Sequence, residues 1–210
     1  QNIKISELLD KGVSIIDTSN VYISDDAEIG SDTVIYPGVF IGRNVKIGEK
    51  CKIEGHTFIE DSKIGDNAGI SYSYIKGALI KNGTSIGPFS HIRPDSVLNE
   101  NVRVGNFSEI KKSTIGQNSK VNHLSYIGDA FIGKDVNIGA GTITCNYDGF
   151  KKNKTYIGDN VFVGSNVNLI APVKVGKNVL IAAGSTINRD VPSGQLAIAR
   201  VRQEHKRLPK

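Results

Sequence analysis

The chain has no Trp and no Met, and only 7% of its 210 residues are aromatic. A compact globule of this size ordinarily fills its centre with bulky rings. Their scarcity, beside 23 Gly, implies a narrow core lined by repeated aliphatics. Without Met, Gln1 is not a translation start, and the sequence is expected to be a fragment or a processed product. Cysteine is nearly absent: Cys51 and Cys145 alone do not make a disulfide framework, so a reducing, cytoplasmic setting is expected. No apolar run approaches the roughly 18 residues of a membrane span, and no signal-peptide pattern opens the chain, so no membrane partner is expected. Neither a Walker A nor a Rossmann glycine motif occurs. The net charge of +5 and the pI of about 9.1 are compatible with anionic ligands or nucleic acid. The charges are scattered until the last eleven residues, which fits a solvated surface better, and no nucleic-acid partner is expected.

What is present is a beat of six. Ile23, Ile29, Ile35, Ile41, Ile47, Ile53 and Ile59 form one run. Ile86, Ile92, Leu98, Val104 and Ile110 form a second, and Ile157, Val163, Leu169, Val175, Ile181 and Ile187 a third. Four positions after the aliphatic comes a small or β-branched residue, as at Ala27, Thr33, Val39, Val45, Cys51 and Thr57. A period of six suits neither an amphipathic helix nor a lone hairpin. It is the signature of a hexapeptide-repeat parallel β-helix, in which about eighteen residues make one coil and coils stack roughly 4.8 Å apart. The large aliphatic and the smaller residue both point inward, which places Cys51 in the core. Gly often follows the aliphatic, either because the position is crowded or because it needs positive φ. The expected fold class is all-β. Residues 1–20 form a linker with a short helix over Glu7–Lys11, capped by Ser6 and stopped by Gly12. Residues 21–191 form the β-helix, and 192–210 a basic tail. Residues 71–85 keep the beat imperfectly and are expected to be an irregular coil.

The register allows neighbours to be computed. Ile92 stacks on Ile110, so Arg93 and Lys111 occupy equivalent places one coil apart. Two cations so close repel unless an anion such as phosphate lies between them; the alternative is that both diverge into water. Val104, Val121 and Ile138 align through five-residue steps, so Asn106, His123 and Ala140 share a column. The small Ala140 leaves room beside the imidazole. Glu109 falls beside Tyr126 near the same corner, where a carboxylate could orient a general base. A lone His is more often structural, but the open column and the cationic pair favour catalysis. Between Ile138 and Ile157 the aliphatic at 144 is missing, and the polar stretch Cys145–Lys154 is expected to be an extruded loop. Cys145 has no local His or Asp partner to make it a nucleophile. His56 lies several coils from His123, so no three histidines converge on a zinc site and no metal is expected.

Four strings are more specific than the hexads: GPFSHIRP (87–94), VGNFSEIKK (104–112), HLSYIGD (123–129) and NIGAGTITCNYDG (137–149). Together they resemble the C-terminal domain of the bacterial bifunctional glucosamine-1-phosphate acetyltransferase / N-acetylglucosamine-1-phosphate uridyltransferase family, across residues 21–200. The resemblance implies a left-handed β-helix that assembles as a homotrimer with sites at subunit interfaces. The implied reaction moves acetyl from acetyl-CoA to the amine of glucosamine-1-phosphate. It implies His123 as general base with Glu109 nearby. It implies Arg93, Lys111, Tyr126, Asn137 and the loop lysine Lys152 as sugar-phosphate ligands. Ala140, Asn146, Tyr147, Ser165, Ala183 and Arg200 match acetyl-CoA contacts. The family's metal-dependent uridyltransferase half is not among these 210 residues, and the tail after Arg200 departs from the family pattern. Three rival functions remain: a hexapeptide acyltransferase with another acceptor, a non-catalytic trimerisation module, and a zinc β-helix hydratase.

Overall fold

The computed structural model describes residues 2–208. After one helix, the chain winds as a three-faced parallel solenoid with strands two or three residues long. Face 1 has 11 strands, running from Ser14–Ile15 to Leu196–Ala197. Face 2 has 10, from Tyr22–Ile23 to Thr186–Ile187. Face 3 has 9, from Glu28–Ile29 to Val173–Val175. The coils wind left-handed, as the hexapeptide resemblance implies.

The beat of six becomes a register. Ile35 pairs with Ile53, Ile41 with Ile59, and Ile92 with Ile110. All are fully buried, each removing an aliphatic side chain from water at a gain of about 1.5–3 kcal/mol. The small slots are buried too, and many hold Thr or Ser. Their hydroxyls are satisfied by backbone carbonyls, as when Thr33 donates to Gly48 at 2.9 Å and Ser119 to Gly133 at 2.8 Å. Burying a hydroxyl is costly unless it is bonded in this way. Thr155 Oγ1 is a buried exception, with no partner among the described residues.

Crowding, not positive φ, explains nearly all the glycines that follow the aliphatic. A Cβ on Gly30 would lie 2.6 Å from the Gly48 carbonyl carbon of the next coil. Positive φ belongs to the corners, where Asp32, Asn44, Asn67, Asn118 and Asn160 adopt it, as Asn and Asp do most readily among side-chain-bearing residues. At the corner between faces 1 and 2, four rungs instead put Tyr72, Phe89, Phe107 and Leu124 into left-handed backbone. These bulky residues are strained there, and stacking such as that of Phe89 on Phe107, 5.4 Å between ring centres, offsets part of the cost.

Three local expectations change. The helix spans Asn2–Asp10, so Ser6 lies inside it instead of capping it. Gly12 does end it, at φ +84°, with its N–H on Leu9 at 3.0 Å and that of Val13 on Leu8 at 3.0 Å, a Schellman closure. Residues 71–85 are regular: Ile75 pairs with Ile59 and Ile80 with Ile64, the beat slipping only because corners shorten by a residue. The ladder also extends past both expected limits, to Ser14 paired with Val34 and Leu196 paired with Leu180.

Candidate active site

His123 sits at the corner between faces 1 and 2 and points to solvent. Its Nδ1 lies 2.6 Å from Asn106 Oδ1. With the amide oxygen accepting, Nδ1 carries the proton and Nε2 keeps its lone pair. The partner that orients the imidazole is therefore Asn106, one rung below. Glu109, expected in that role, is turned elsewhere. Its Oε1 accepts from Arg93 Nη1 at 2.8 Å.

The corner column continues above His123. Gly141 N–H reaches the His123 carbonyl at 3.3 Å, Asn166 N–H that of Ala140 at 2.7 Å, and Gly184 N–H that of Ser165 at 2.8 Å. Arg200 Nη1 closes the series on the Ala183 carbonyl at 3.0 Å. Ala140, Ser165, Ala183 and Arg200 thus follow His123 in order along one edge, over about 19 Å at the usual rung spacing. The first three have small side chains, so the edge is a shallow track leading to the imidazole. The Ala140 N–H donates to no acceptor among the described residues, one rung above the imidazole.

A cationic cluster lies at the far end of face 2. Arg93 and Lys111 occupy successive rungs, as the register requires, and each has a carboxylate. Arg93 has Glu109; Lys111 Nζ lies 3.5 Å from Asp129 Oδ2. Lys152 reaches the same place from the loop. A hydrogen bond in which the Lys152 amine accepts from the Lys111 ammonium, then loss of water and the Lys111 and Arg93 charges, push Lys152 below its ordinary value. The bond to Lys152, and Asp129 beside it, hold Lys111 above its own. The third rung of this column is Gly128, paired with Lys111. A Cβ there would lie 2.5 Å from the Tyr126 hydroxyl, so the missing side chain lets the Tyr126 ring lie across the strand.

The loop is slightly shorter than expected, because Cys145 belongs to a strand. Thr144 is fully buried in a strand, Ile143–Cys145, and fills the vacant aliphatic slot. Its hydroxyl accepts from Gly128 N–H at 2.8 Å. Beyond Asn146 the chain makes a hairpin, with Tyr147 bridged to Lys152. Asp148 accepts from Phe150 and Lys151 N–H at 2.9 and 2.8 Å and from Asn153 Nδ2 at 2.8 Å. The Lys151, Phe150 and Asn153 bonds lower its pKa to about 2. Cys145 is half-buried, and burial raises its thiol pKa, the reverse of what activates a nucleophile.

Two expected ligands fall apart from their groups. Asn137 stands on face 1 between Lys120 and Phe162, while Arg93, Lys111 and Tyr126 belong to face 2. Asn146, matched to acetyl-CoA, stands instead beside the cationic cluster: its Nδ2 donates to Asp129 Oδ2 at 2.6 Å and to the Tyr126 hydroxyl at 3.4 Å. Asp129 carries no sequence signal, since many corners hold an acidic or amide residue.

The geometry has counterparts among known proteins. A family model described as the GMPPB C-terminal domain matches residues 18–77 and 74–169. A model of the bacterial transferase hexapeptide (six repeats) matches residues 154–189. The bifunctional protein GlmU of Thermotoga maritima is 53% identical over 200 residues, covering 95% of this chain and 45% of that protein. GlmU of Thermoanaerobacter pseudethanolicus is 57% identical over 198 residues, covering 94% and 43%. The chain therefore spans less than half the length of these curated relatives. LpxA, a UDP-N-acetylglucosamine acyltransferase from Bacteroides fragilis, aligns with a TM-score of 0.61 at 23% identity, over 84% of this chain and 69% of that one; at that identity the likeness carries the fold alone. The chain belongs to the family described as the GMPPB C-terminal domain, built of bacterial transferase hexapeptide repeats, and it is similar to the C-terminal domain of the bifunctional proteins GlmU.

Proposed function

We propose that this chain transfers acetyl from acetyl-CoA to the amine of glucosamine-1-phosphate. The product is N-acetylglucosamine-1-phosphate, a step towards UDP-N-acetylglucosamine for the cell envelope. The observation that carries this is that a track of small residues runs up to one exposed imidazole at a corner of face 2, while a cationic cluster stands at the other side of the same face. A track of small residues, Ala140–Ser165–Ala183, suits the narrow arm of a long thioester, with Arg200 at its far end for the negative end of that molecule. The cluster of Arg93, Lys111 and Lys152 suits a phosphate dianion.

The step needs no acyl-enzyme, because a thioester is already activated and an amine is a good nucleophile. His123 Nε2 takes a proton from the substrate amine as its nitrogen forms the new C–N bond. The C–S bond breaks, and the leaving thiolate takes the proton from the imidazolium. The thioester oxygen gains charge in passing, and the Ala140 N–H is the donor left over for it. Both amide hydrogens of Asn146 are already engaged, which takes it out of that role. Asn137, on the other side of the corner, serves the site of a neighbouring copy. That split supports a homotrimer with sites at its interfaces, working in the cytoplasm.

The test is thiol release from acetyl-CoA with and without glucosamine-1-phosphate. Release only with the sugar phosphate supports the proposal. Release with a different amine or hydroxyl acceptor alone makes the chain another hexapeptide acyltransferase. No release with any acceptor makes it a trimerisation module.

A further inference from the structure

We infer that Asp129 is a positioning residue: it clamps both feet of the 146–154 hairpin to the Lys111 rung and so sets Lys152 over the phosphate seat. The kinetic part of this inference rests on the acetyl-transfer proposal; the structural part does not.

The argument is one of contacts. Asp129 touches three separate pieces of chain. Its main-chain N–H donates to the Lys111 carbonyl at 3.0 Å, and its own carbonyl accepts from Thr155 N–H at 3.3 Å. Thr155 is the residue that follows the hairpin. The Asp129 carboxylate Oδ2 accepts from Asn146 Nδ2 at 2.6 Å, and Asn146 is the residue that begins the hairpin. The same oxygen lies 3.5 Å from Lys111 Nζ. One residue thereby holds the entry of the hairpin, its exit, and the coil lysine.

The hairpin is closed on these feet. The Asn146 carbonyl accepts from Asn153 N–H at 2.7 Å, so moving Asn146 moves the returning strand as well. Lys152 is bridged to Tyr147 across the hairpin and rides with it. The carboxylate and ammonium of the Asp129–Lys111 pair are both only 14% exposed, and Asn146 is 6% exposed. In that setting water screens the pair poorly, and a lost charge cannot be made good by solvent.

Electrostatics sets the direction of the effect. Lys111 and Lys152 crowd each other, so that protonating one disfavours protonating the other, and Asp129 is the anion that favours the charge on both. Without its charge the two ammonium groups repel, and the hairpin is the part free to yield. Lys152 then leaves the seat before substrate arrives, so binding must include the cost of bringing it back. Asp129 touches no reacting atom; it acts through Lys152.

The experiment uses the full chain and Asp129→Asn, which keeps the shape of the side chain and removes its charge. The expected result is a Michaelis constant for glucosamine-1-phosphate raised about tenfold, the usual size of a charged hydrogen bond. That for acetyl-CoA and the turnover number should stay within about twofold. Lys152→Ala should have a similar effect, and the double variant should be no worse than the weaker-binding single variant, because the two act as one unit. A second readout does not need catalysis. Trypsin cleavage at Lys151, Lys152 and Lys154 should be faster in Asp129→Asn than in the parent, and inorganic phosphate should slow it in the parent only. Asn146→Ala, which cuts the same contact from the other side, should speed cleavage as well. Unchanged cleavage in both variants, or full additivity of Asp129→Asn with Lys152→Ala, overturns the inference. If the parent chain transfers no acetyl to glucosamine-1-phosphate, the functional proposal falls, and the cleavage rates alone decide the role of Asp129.

Discussion

Face 2 carries two different chemistries on one backbone. In its first half the outward residues Tyr22, Phe40, Phe58 and Tyr74 stack in succession, with ring centres 4.5, 4.8 and 4.5 Å apart and planes within 11°, 4° and 1° of parallel. In its second half the same row continues as His91, Glu109 and Tyr126. Along the same seven rungs the inward residue does not change: Ile23, Ile41, Ile59, Ile75, Ile92, Ile110 and Ile127 are all buried. The prism is thus indifferent to what it displays. In the ladder the ring faces are spent on one another, so only edges remain for other molecules. In the second half no outward ring of the row stacks face to face among the described residues, and charged groups, paired with one another, stand at the surface. The first half stiffens the edge of the sheet; the second half spends that stiffness on a site.

The sharpest way to break this contrast is at the corner beside the second half. His123→Ala should lower turnover by about 10²–10⁴, the range for loss of a general base. Acetyl-CoA should still bind, because the track above it is untouched. Calorimetric titration of acetyl-CoA beside a thiol-release assay checks both, and full retained turnover would remove the imidazole from the reaction. A smaller effect is expected within face 2. Arg93→Ala should raise the Michaelis constant for glucosamine-1-phosphate by about 10–100-fold and leave that for acetyl-CoA near the parent value. Equal change in both constants would mean that Arg93 supports the fold and not the phosphate.

The first half should answer in stability alone. Phe58 stacks on Phe40 and Tyr74, and each cross-strand aromatic pair contributes about 0.2–1 kcal/mol. Phe58→Ala should therefore cost roughly 0.4–2 kcal/mol by denaturant titration, with both Michaelis constants unchanged. A kinetic effect there would show that the two halves are not independent.

The fold was legible because its signal is repetitive. Each inward Ile repeats the same test, and one wrong position does not spoil the register. The same arithmetic placed Asn106, His123 and Ala140 in a column and Arg93 beside Lys111, since neighbours on a rung follow from spacing alone. What spacing does not encode is the direction of a long side chain. Glu109 could turn to His123 or to Arg93, and only the guanidinium at 2.8 Å decides between them. Asn146 was equally open, because a hairpin foot has no register and its amide found Asp129 across a 17-residue separation. Thr144 was missed as an inward residue because it is polar where the beat asks for an aliphatic. Its hydroxyl is accommodated by hydrogen bonds to Gly128, donating to the carbonyl at 3.0 Å.

His91 stands where the halves join, and it offers the gentlest probe of the boundary. Its ring meets Tyr74 edge-on, 5.2 Å between centres at 90°, and pairs in register with Glu109. Arg93 follows two residues on. Burial, the largest influence, pushes its pKa below the ordinary 6.5; Glu109 opposes this and Arg93 adds to it. The folded chain therefore binds this proton less readily than the unfolded chain does. Stability should be complete above about pH 6.5 and fall as the pH drops through that value toward the lower folded pKa. His91→Gln cannot take up the proton, so its denaturation midpoint should lose less than the parent's between pH 7.5 and pH 5.5. Identical losses would show that His91 is free of its surroundings. A larger loss in the variant would mean that the Glu109 carboxylate outweighs burial, and that the charged half of the face begins at His91 itself.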